Sequence, residues 1–233
     1  YHRQGGFYWL YFVYIYHWGH FRYSAFAANF RYNTFKIKKM NTEMLNALKD
    51  RAHGIAVEHG FHEEERPDAY WLGLVMSEMG EAINADQKRL HADMESFVEH
   101  MANGYSFNDA FYLYIKDSLE DELADIVIRL LDFAGLRGYK PCLVAKAQRT
   151  IDSTYAFLKF EESGMPGMFF YLMDFLTAGF GWNELETCIF NIIYILNDCF
   201  DNMTGGSDCD LWWFVKQKMR YNDLRPRLNG KKY

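Results

Sequence analysis

The chain has 233 residues, of which 50% are hydrophobic and 24% charged, and its formal net charge is −6. This composition is typical of a globular protein that can bury a sizeable core. The negative charge argues against a general nucleic-acid-binding surface, which would be basic. The cysteines have no CxxC or disulfide-framework spacing, so we expect reduced core thiols in a cytoplasmic protein: Cys142, Cys188, Cys199 and Cys209.

Residues 1–39 differ from the remainder of the chain because they are rich in aromatic residues and contain no acidic residue. The apolar run over residues 7–18 is too short to span a bilayer and lacks the features of a signal peptide. A normal helix start follows Met40, with Asn41 or Thr42 as the candidate N-cap. Our hypothesis is an extension over 1–39 with no part in the activity, followed by a domain over 40–233. An interfacial membrane anchor is the alternative.

Hydrophobic periodicity predicts helices through the whole domain. The first helix is predicted over 42–59 and ends at Gly60. Because Gly60 separates His59 from His62, we interpret this histidine- and glutamate-rich segment as a solvated loop and not as a metal site. A second helix is predicted to begin at Pro67 and to continue to residue 101.

The second half of the chain is also predicted to be helical. A third helix is expected over 107–135, with a break near 116–118, and further helices over 142–163, up to 180, over 184–200 and over 211–221. Residues 164–167 and 203–210 carry the Gly, Pro, Ser and Asp typical of the connections between them. The predicted fold class is therefore all-α, a helix bundle.

Two acidic pairs stand in this helical pattern, Glu78-x-x-Glu81 and Glu122-x-x-Asp125. Residues three apart in a helix project from one face. Each pair lies beside apolar positions, so packing of the two helices would desolvate the carboxylates and make them repel each other. Mg²⁺ or Mn²⁺, which prefers oxygen ligands, would bridge them and remove this cost. Ordinary solvated helical faces are the alternative interpretation.

The two acidic pairs, with Lys88 and Arg89 following the first, resemble the motifs of the MazG-like, all-α nucleoside triphosphate pyrophosphohydrolases. The closing stretch over 218–233 also resembles the tail of many of these proteins, so that the resemblance covers about residues 42–137 and 211–233. Two departures are Ser77, where the family commonly has Glu, and the long separation over 82–121. This long separation implies an insertion between the two helices that carry the acidic pairs.

The resemblance implies a helix bundle of the all-α NTP pyrophosphatase type, with an insertion and additional C-terminal helices. It implies Mg²⁺-dependent hydrolysis of an NTP or dNTP to the monophosphate and pyrophosphate by a homodimer or homotetramer. We expect no nucleic-acid partner, given the net charge of −6, and no membrane partner. The residues that would hold the metal are Glu78, Glu81, Glu122 and Asp125, of which Glu78 and Glu81 are the catalytic candidates. The substrate-binding candidates are Lys88, Arg89, Lys218, Asn222 and Arg225.

Alternatives remain for the basic and aromatic residues. Lys218 and Asn222 share a face of the last helix, which suits joint contact with a phosphate and a base or sugar, but a positively charged helix C-terminus has the same pattern. We expect core packing for three tryptophans, with stacking on a nucleobase as the less favoured alternative: Trp71, Trp212 and Trp213. For the whole chain, the alternative to the enzyme is a non-catalytic helical oligomerisation protein that keeps remnants of the acidic motif.

Overall fold

Eight α-helices and no strand make up the part of the chain that the computed structural model describes, residues 42–141, 146–207 and 209–230. Side chains of 146–151 and 229–230 are not among the described features. The helices are α1 (Thr42–Glu58), α2 (Asp68–Lys88), α3 (Met94–Ala102), α4 (Phe107–Tyr114), α5 (Leu119–Leu136), α6 (Lys146–Trp182), α7 (Leu185–Met203) and α8 (Leu211–Asp223), followed by a 3₁₀ turn (Arg227–Gly230). The all-α prediction is confirmed for these residues. The predictions for residues 1–39 and Cys142 lie outside them.

Helix α5 forms the centre of the bundle, since 13 of its 18 residues are buried and it packs against α1, α2, α7 and α8. It runs antiparallel to α2. At one end Arg137 Nε donates a hydrogen bond of 2.7 Å to Asp68, and at the other the Leu119 N–H donates to the Leu90 carbonyl at 2.8 Å. This pairing sets the two acidic motifs opposite each other.

The start of α5 is fixed by local hydrogen bonds, and the break predicted near 116–118 is present. Ser118 is the N-cap, and its hydroxyl accepts from the Asp121 N–H at 3.2 Å. Asp117 adopts a left-handed conformation, with φ of 62°, and its N–H donates to Asp121 Oδ2 at 3.0 Å. The first turn therefore holds three acidic residues at the positive end of the helix dipole.

Helix α2 ends at Lys88, so its predicted continuation to residue 101 is wrong. Arg89 takes a left-handed conformation, with φ of 55°, and its N–H donates to the Asp86 carbonyl. A separate helix, α3, then begins at Met94; its N-cap is Asp93, whose side chain accepts from the Ser96 N–H at 3.0 Å. This local hydrogen bond favours a new helix start over continuation of α2 and allows the chain to turn back.

The segment between the two acidic motifs forms the hairpin α3–α4, which packs on α8. The Asp93 N–H donates to the Tyr114 carbonyl at 2.9 Å and closes the hairpin. Aromatic contacts with α8 are T-shaped between Phe97 and Trp213, at 5.8 Å, and stacked between Phe111 and Tyr221, at 4.5 Å. This hairpin therefore supports the helix that carries Lys218, Asn222 and, just beyond its end, Arg225.

Helices α6 and α7 pack on each other and, through α7, on the central helix α5. The helical run of α6 is interrupted at Gly164, with φ of 65°, two residues before Pro166, where the sequence predicts a separation. Thirteen of the 19 residues of α7 are buried. In the described part of the chain, none of the helices has an apolar stretch long enough to cross a membrane.

Candidate metal centre

Three of the four predicted carboxylates come together between α2 and α5. One oxygen each from Glu78, Glu122 and Asp125 lies within 4.8 Å of the others. Glu78 and Glu122 are buried, whereas Asp125 is half-buried. The fourth, Glu81, is exposed and outside this compact group, but its charge contributes to raising the pKa of both Glu78 and Glu122. We call Glu78, Glu122 and Asp125 the carboxylate cluster.

The carboxylate cluster is electrostatically strained. Burial, and then the Asp125 charge, raises the pKa of Glu122 to about 8. The same two causes raise the pKa of Glu78, although Arg129 opposes the shift with a hydrogen bond of 2.9 Å from its Nε to Glu78 Oε1. Glu122 Oε2 is buried without a hydrogen-bond partner among the described residues. An orphaned carboxylate oxygen beside two further carboxylates fits an oxygen-preferring cation.

Lys218 is the internal counter-ion of this region. Its ammonium donates hydrogen bonds of 2.6 Å to Asp121 Oδ2 and 2.7 Å to Asp125 Oδ2, and its side chain is only 7% exposed. Burial acts against its charge, but Asp125 and Asp121 outweigh burial and raise the pKa of Lys218. For Asp121, burial raises the pKa to about 6 against the effect of Lys218. Lys218, predicted to contact substrate, is engaged instead with two carboxylates.

Asn222 and Arg225 face a cavity that adjoins the cluster. This cavity, of about 90 Å³, lies between α1, α5 and the end of α8, and Asp125 and Arg129 also line it. Asn222 Oδ1 is buried and has no partner among the described residues. The volume admits a few water molecules or a phosphate-sized group, but not a nucleoside, because pockets for whole ligands measure about 300–1,000 Å³.

Lys88 and Arg89 are exposed at the end of α2. Lys88 follows Glu81 by seven residues, which corresponds to about 10 Å along a helix axis. The structure does not bring these two predicted substrate ligands into the carboxylate cluster. Their approach to a bound phosphate remains a prediction.

The predicted loop after α1 is present and its glutamates are exposed, but the prediction that His59 and His62 are solvated is wrong. The ring nitrogens of His59 lie 2.9 Å from the carbonyl oxygens of Ile55 and Arg225, and His59 is buried. Gly60, with φ of 83°, turns the chain inward, so that His62 Nε2 lies 2.7 Å from Asp132 on α5. The helix break was predictable from glycine, but the direction in which the following side chains point depends on long-range packing.

Sequence reasoning missed Arg129, Asp132 and Asp121. A signal for the first two exists, because Glu122, Asp125, Arg129 and Asp132 follow each other at spacings of three, four and three residues. Such spacing gives one polar stripe on α5, whose other positions are mostly apolar. A charged stripe on a buried helix marks side chains that must find partners inside the protein.

Comparison with known proteins gives no match of the chain to a protein family, to a curated protein or to a solved structure. Relationship to the MazG-like group is thus a hypothesis that depends on the acidic motifs. Function is inferred here from the geometry of the carboxylate cluster and its surroundings.

Proposed function

We propose that the protein is a cytoplasmic, Mg²⁺-dependent nucleoside triphosphate pyrophosphohydrolase of the MazG-like kind. It would hydrolyse an NTP or dNTP to the monophosphate and pyrophosphate. The observation that carries this proposal is the convergence of Glu78, Glu122 and Asp125 from two helices within 4.8 Å. A donor set made only of carboxylate oxygens suits Mg²⁺, with Mn²⁺ as a substitute.

Each residue of the cluster and its surroundings has an assigned role. Glu78, Glu122 and Asp125 would hold the ion, while Arg129 fixes the carboxylate of Glu78 and Lys218 fixes that of Asp125. Bound Mg²⁺ would supply positive charge for the triphosphate oxygens and lower the pKa of a water molecule. Carboxylates held in this way keep their positions without substrate, which reduces the reorganisation needed for reaction.

The substrate's phosphates would contact the cavity beside Asp125. Arg225 suits a phosphate because its guanidinium can form paired hydrogen bonds, and Asn222, which also lines the cavity, has a side-chain amide whose nitrogen can donate to a phosphate oxygen. A cavity of about 90 Å³ is too small for the nucleoside. The base would therefore lie outside it, where a second copy of the chain can complete its pocket in a homodimer or homotetramer.

In the reaction, the oxygen of a water molecule attacks the α-phosphorus, the bond from that phosphorus to the bridging oxygen breaks, pyrophosphate leaves with the bonding electron pair, and the proton lost by the water passes to solvent. We assign the orientation of this water to Glu81, the exposed carboxylate beside the cluster. Glu81 suits this role better than Glu78, because the latter is buried and engaged by Arg129. The monophosphate and pyrophosphate then dissociate.

Pyrophosphate release from a panel of ribo- and deoxyribonucleoside triphosphates, with Mg²⁺, tests this proposal. We expect turnover that Glu122→Gln or Asp125→Asn reduces by about 100-fold or more, since a metal ligand accounts for several kcal/mol of charge stabilisation. Glu99→Gln changes an exposed residue of α3 in the same way and should leave turnover unchanged. Circular dichroism checks that each variant is folded.

A folded wild-type protein that releases no pyrophosphate from any of these nucleotides, with Mg²⁺ or Mn²⁺, would contradict the enzyme assignment. The non-catalytic oligomerisation protein would then be the better description. Turnover that Glu122→Gln and Asp125→Asn leave intact would show that a contaminant, and not this cluster, produces the signal.

A further inference from the structure

A second group of ligand-type side chains meets at Asp132 of the same central helix, outside the carboxylate cluster. Nδ1 of His53, on α1, lies 3.0 Å from Asp132 Oδ1, and Nε2 of His62, between α1 and α2, lies 2.7 Å from the same oxygen. The three potential ligand atoms all lie within 4.8 Å of one another. We call these residues the His–His–Asp group.

The His–His–Asp group is partly buried and is held by its surroundings. The side chains of His62 and Asp132 are 7% and 8% exposed, and that of His53 is 28% exposed. The ring of His62 lies 4.6 Å from that of Trp71, measured between centroids, and 4.8 Å from that of His53. Two helices and a loop therefore fix the three side chains before any ligand binds.

Gly135 gives His53 the space to reach Asp132. A Cβ at this position would lie 2.5 Å from the Cβ of His53, so that only glycine allows the present approach of α1 to α5. Gly135 follows Asp132 by three residues and shares its face of α5. The close approach of the two helices is thus at the point where the imidazole meets the carboxylate.

The donor set differs in chemistry from the carboxylate cluster. Two imidazole nitrogens and one carboxylate oxygen suit a borderline dication such as Zn²⁺, Co²⁺ or Ni²⁺, whereas oxygen-only sets suit Mg²⁺. The two histidine nitrogens lie 3.0 and 2.7 Å from one Asp132 oxygen, and all three ligand atoms lie within 4.8 Å of one another. Zn–N and Zn–O bonds of about 2.0–2.2 Å place the ligands of one ion within about 4 Å of each other, so small side-chain movements would bring all three onto a common ion. Neutral histidines and one carboxylate would leave a bound dication with a single positive charge.

The group also has access to solvent. Asp132 lines the cavity of about 90 Å³ that Asp125, Arg129 and Asn222 also line. Three protein ligands leave a fourth position of a tetrahedral ion for water or a small ligand, which is the pattern of open zinc sites. The cavity provides room for such a ligand on the side of Asp132.

From this geometry we propose that His53, His62 and Asp132 bind one transition-metal dication of the Zn²⁺ class, separate from the Mg²⁺ of the carboxylate cluster. His53 Nδ1, His62 Nε2 and one oxygen of Asp132 are the ligands, and the fourth position opens to the cavity. This site does not depend on nucleotide hydrolysis.

The test uses the full chain without an affinity tag, stripped of metal with EDTA and titrated with Co²⁺. We expect visible absorption typical of nitrogen-ligated, four-coordinate Co²⁺, with saturation at one equivalent and displacement by Zn²⁺. His53→Gln and Asp132→Asn should each weaken Co²⁺ binding at least about tenfold, because even loss of a group that merely orients a ligand costs 10–100-fold in affinity.

Two controls separate this site from other histidines and from the carboxylate cluster. His91→Gln changes a histidine whose side chain is 45% exposed, and Glu122→Gln changes the carboxylate cluster. Both should keep the Co²⁺ spectrum. Thermal unfolding verifies that each variant is folded. His53 is the most exposed member of the group, so we expect His53→Gln to fold even if Asp132→Asn does not.

Wild-type protein without the Co²⁺ bands, or binding that His53→Gln and Asp132→Asn leave unchanged, would overturn the proposal. The three residues would then be a hydrogen-bonded group with a purely structural role. Pyrophosphate release with Mg²⁺ alone is measured separately, so failure of one proposal is distinguishable from failure of the other.

Discussion

At the scale of single residues, the candidate centre is an accumulation of buried carboxylates that two cations only partly neutralise. Lys218 contacts Asp121 and Asp125, and Arg129 contacts Glu78. Glu122 keeps a buried oxygen without a partner among the described residues. The protein thus holds more negative charge at this point than its own side chains compensate, which is the physical reason to expect a cation.

Removing Lys218 should destabilise the protein strongly. Lys218→Met leaves the buried Asp121 and the half-buried Asp125 without their counter-ion, and breaking a buried pair typically costs about 3–5 kcal/mol in the free energy of unfolding. Lys216→Met, an exposed position on the same helix, should change that free energy by less than about 0.5 kcal/mol. Urea unfolding of both variants measures the difference. Equal effects would show that the ion pair contributes nothing specific.

Glu122 should make the stability of the metal-free protein depend on pH. Its folded-state pKa of about 8 lies above the ordinary value of 4.5, so between these pH values the folded chain keeps a proton that the unfolded chain releases. Stability contributed by this protonated form is therefore present below about pH 4.5 and is lost as the pH rises towards about 8.

Glu122→Gln cannot ionise, so in EDTA its melting temperature should fall less than that of the wild type as the pH rises from 5 to 8. Glu99→Gln is the matched exposed control. Added Mg²⁺ should recover the wild-type melting temperature at the upper end of this range, because a ligand that binds only the folded state stabilises it. Superimposable pH profiles for wild type and Glu122→Gln would refute this expectation.

At the scale of helices, α5 is the element at which the carboxylate cluster, Lys218 and the His–His–Asp group all meet. Its N-terminus is fixed by the Ser118 cap, and its sides meet α1, α2 and α8. The hairpin α3–α4 presses on α8 through Phe97 and Phe111. The hairpin that occupies the long separation between the acidic motifs therefore leaves the carboxylate cluster intact. By packing on α8, it holds Lys218 against the carboxylates.

Close packing of α1 on α5 predicts opposite effects of alanine at two helical glycines. Gly135→Ala places a Cβ 2.5 Å from that of His53 and should destabilise the fold by about 1–3 kcal/mol, the usual cost of overpacking. Gly73→Ala, on α2, has no atom within 4 Å of the added Cβ and should stabilise it by about 0.5–1 kcal/mol. Chemical unfolding gives both values, and a stabilising Gly135→Ala would contradict the close approach.

At the scale of the whole molecule, all residues of the carboxylate cluster and of the His–His–Asp group belong to one compact unit, Asn41–Tyr233. We expect a chain of residues 40–233 to fold alone, with helical circular dichroism and one cooperative thermal transition. It should also keep the pyrophosphate release of the full chain. Aggregation of this shorter chain, or a transition without cooperativity, would contradict the hypothesis that residues 1–39 are dispensable.

The sequence by itself determined the features that arise from local interactions. Backbone preferences and residue spacing act within a few positions, so the sequence predicts the helical periodicity and the interruptions at Gly60 and Gly164. For the same reason it places Glu78 with Glu81, and Glu122 with Asp125, on common helix faces. The wrong prediction for the end of α2 also has a local cause, because the left-handed Arg89 and the Asp93 cap end the helix although apolar periodicity continues.

Only the tertiary structure decided which charged side chains are buried and with whom they pair. It buries Glu78 but leaves Glu81 exposed, turns Lys218 towards Asp121 and brings His62 to Asp132. Partners so distant along the chain meet only after helices pack, and the energy of a buried charge depends on that packing more than on its neighbours in sequence. Periodicity therefore located the candidate centre, whereas helix packing determined its chemistry.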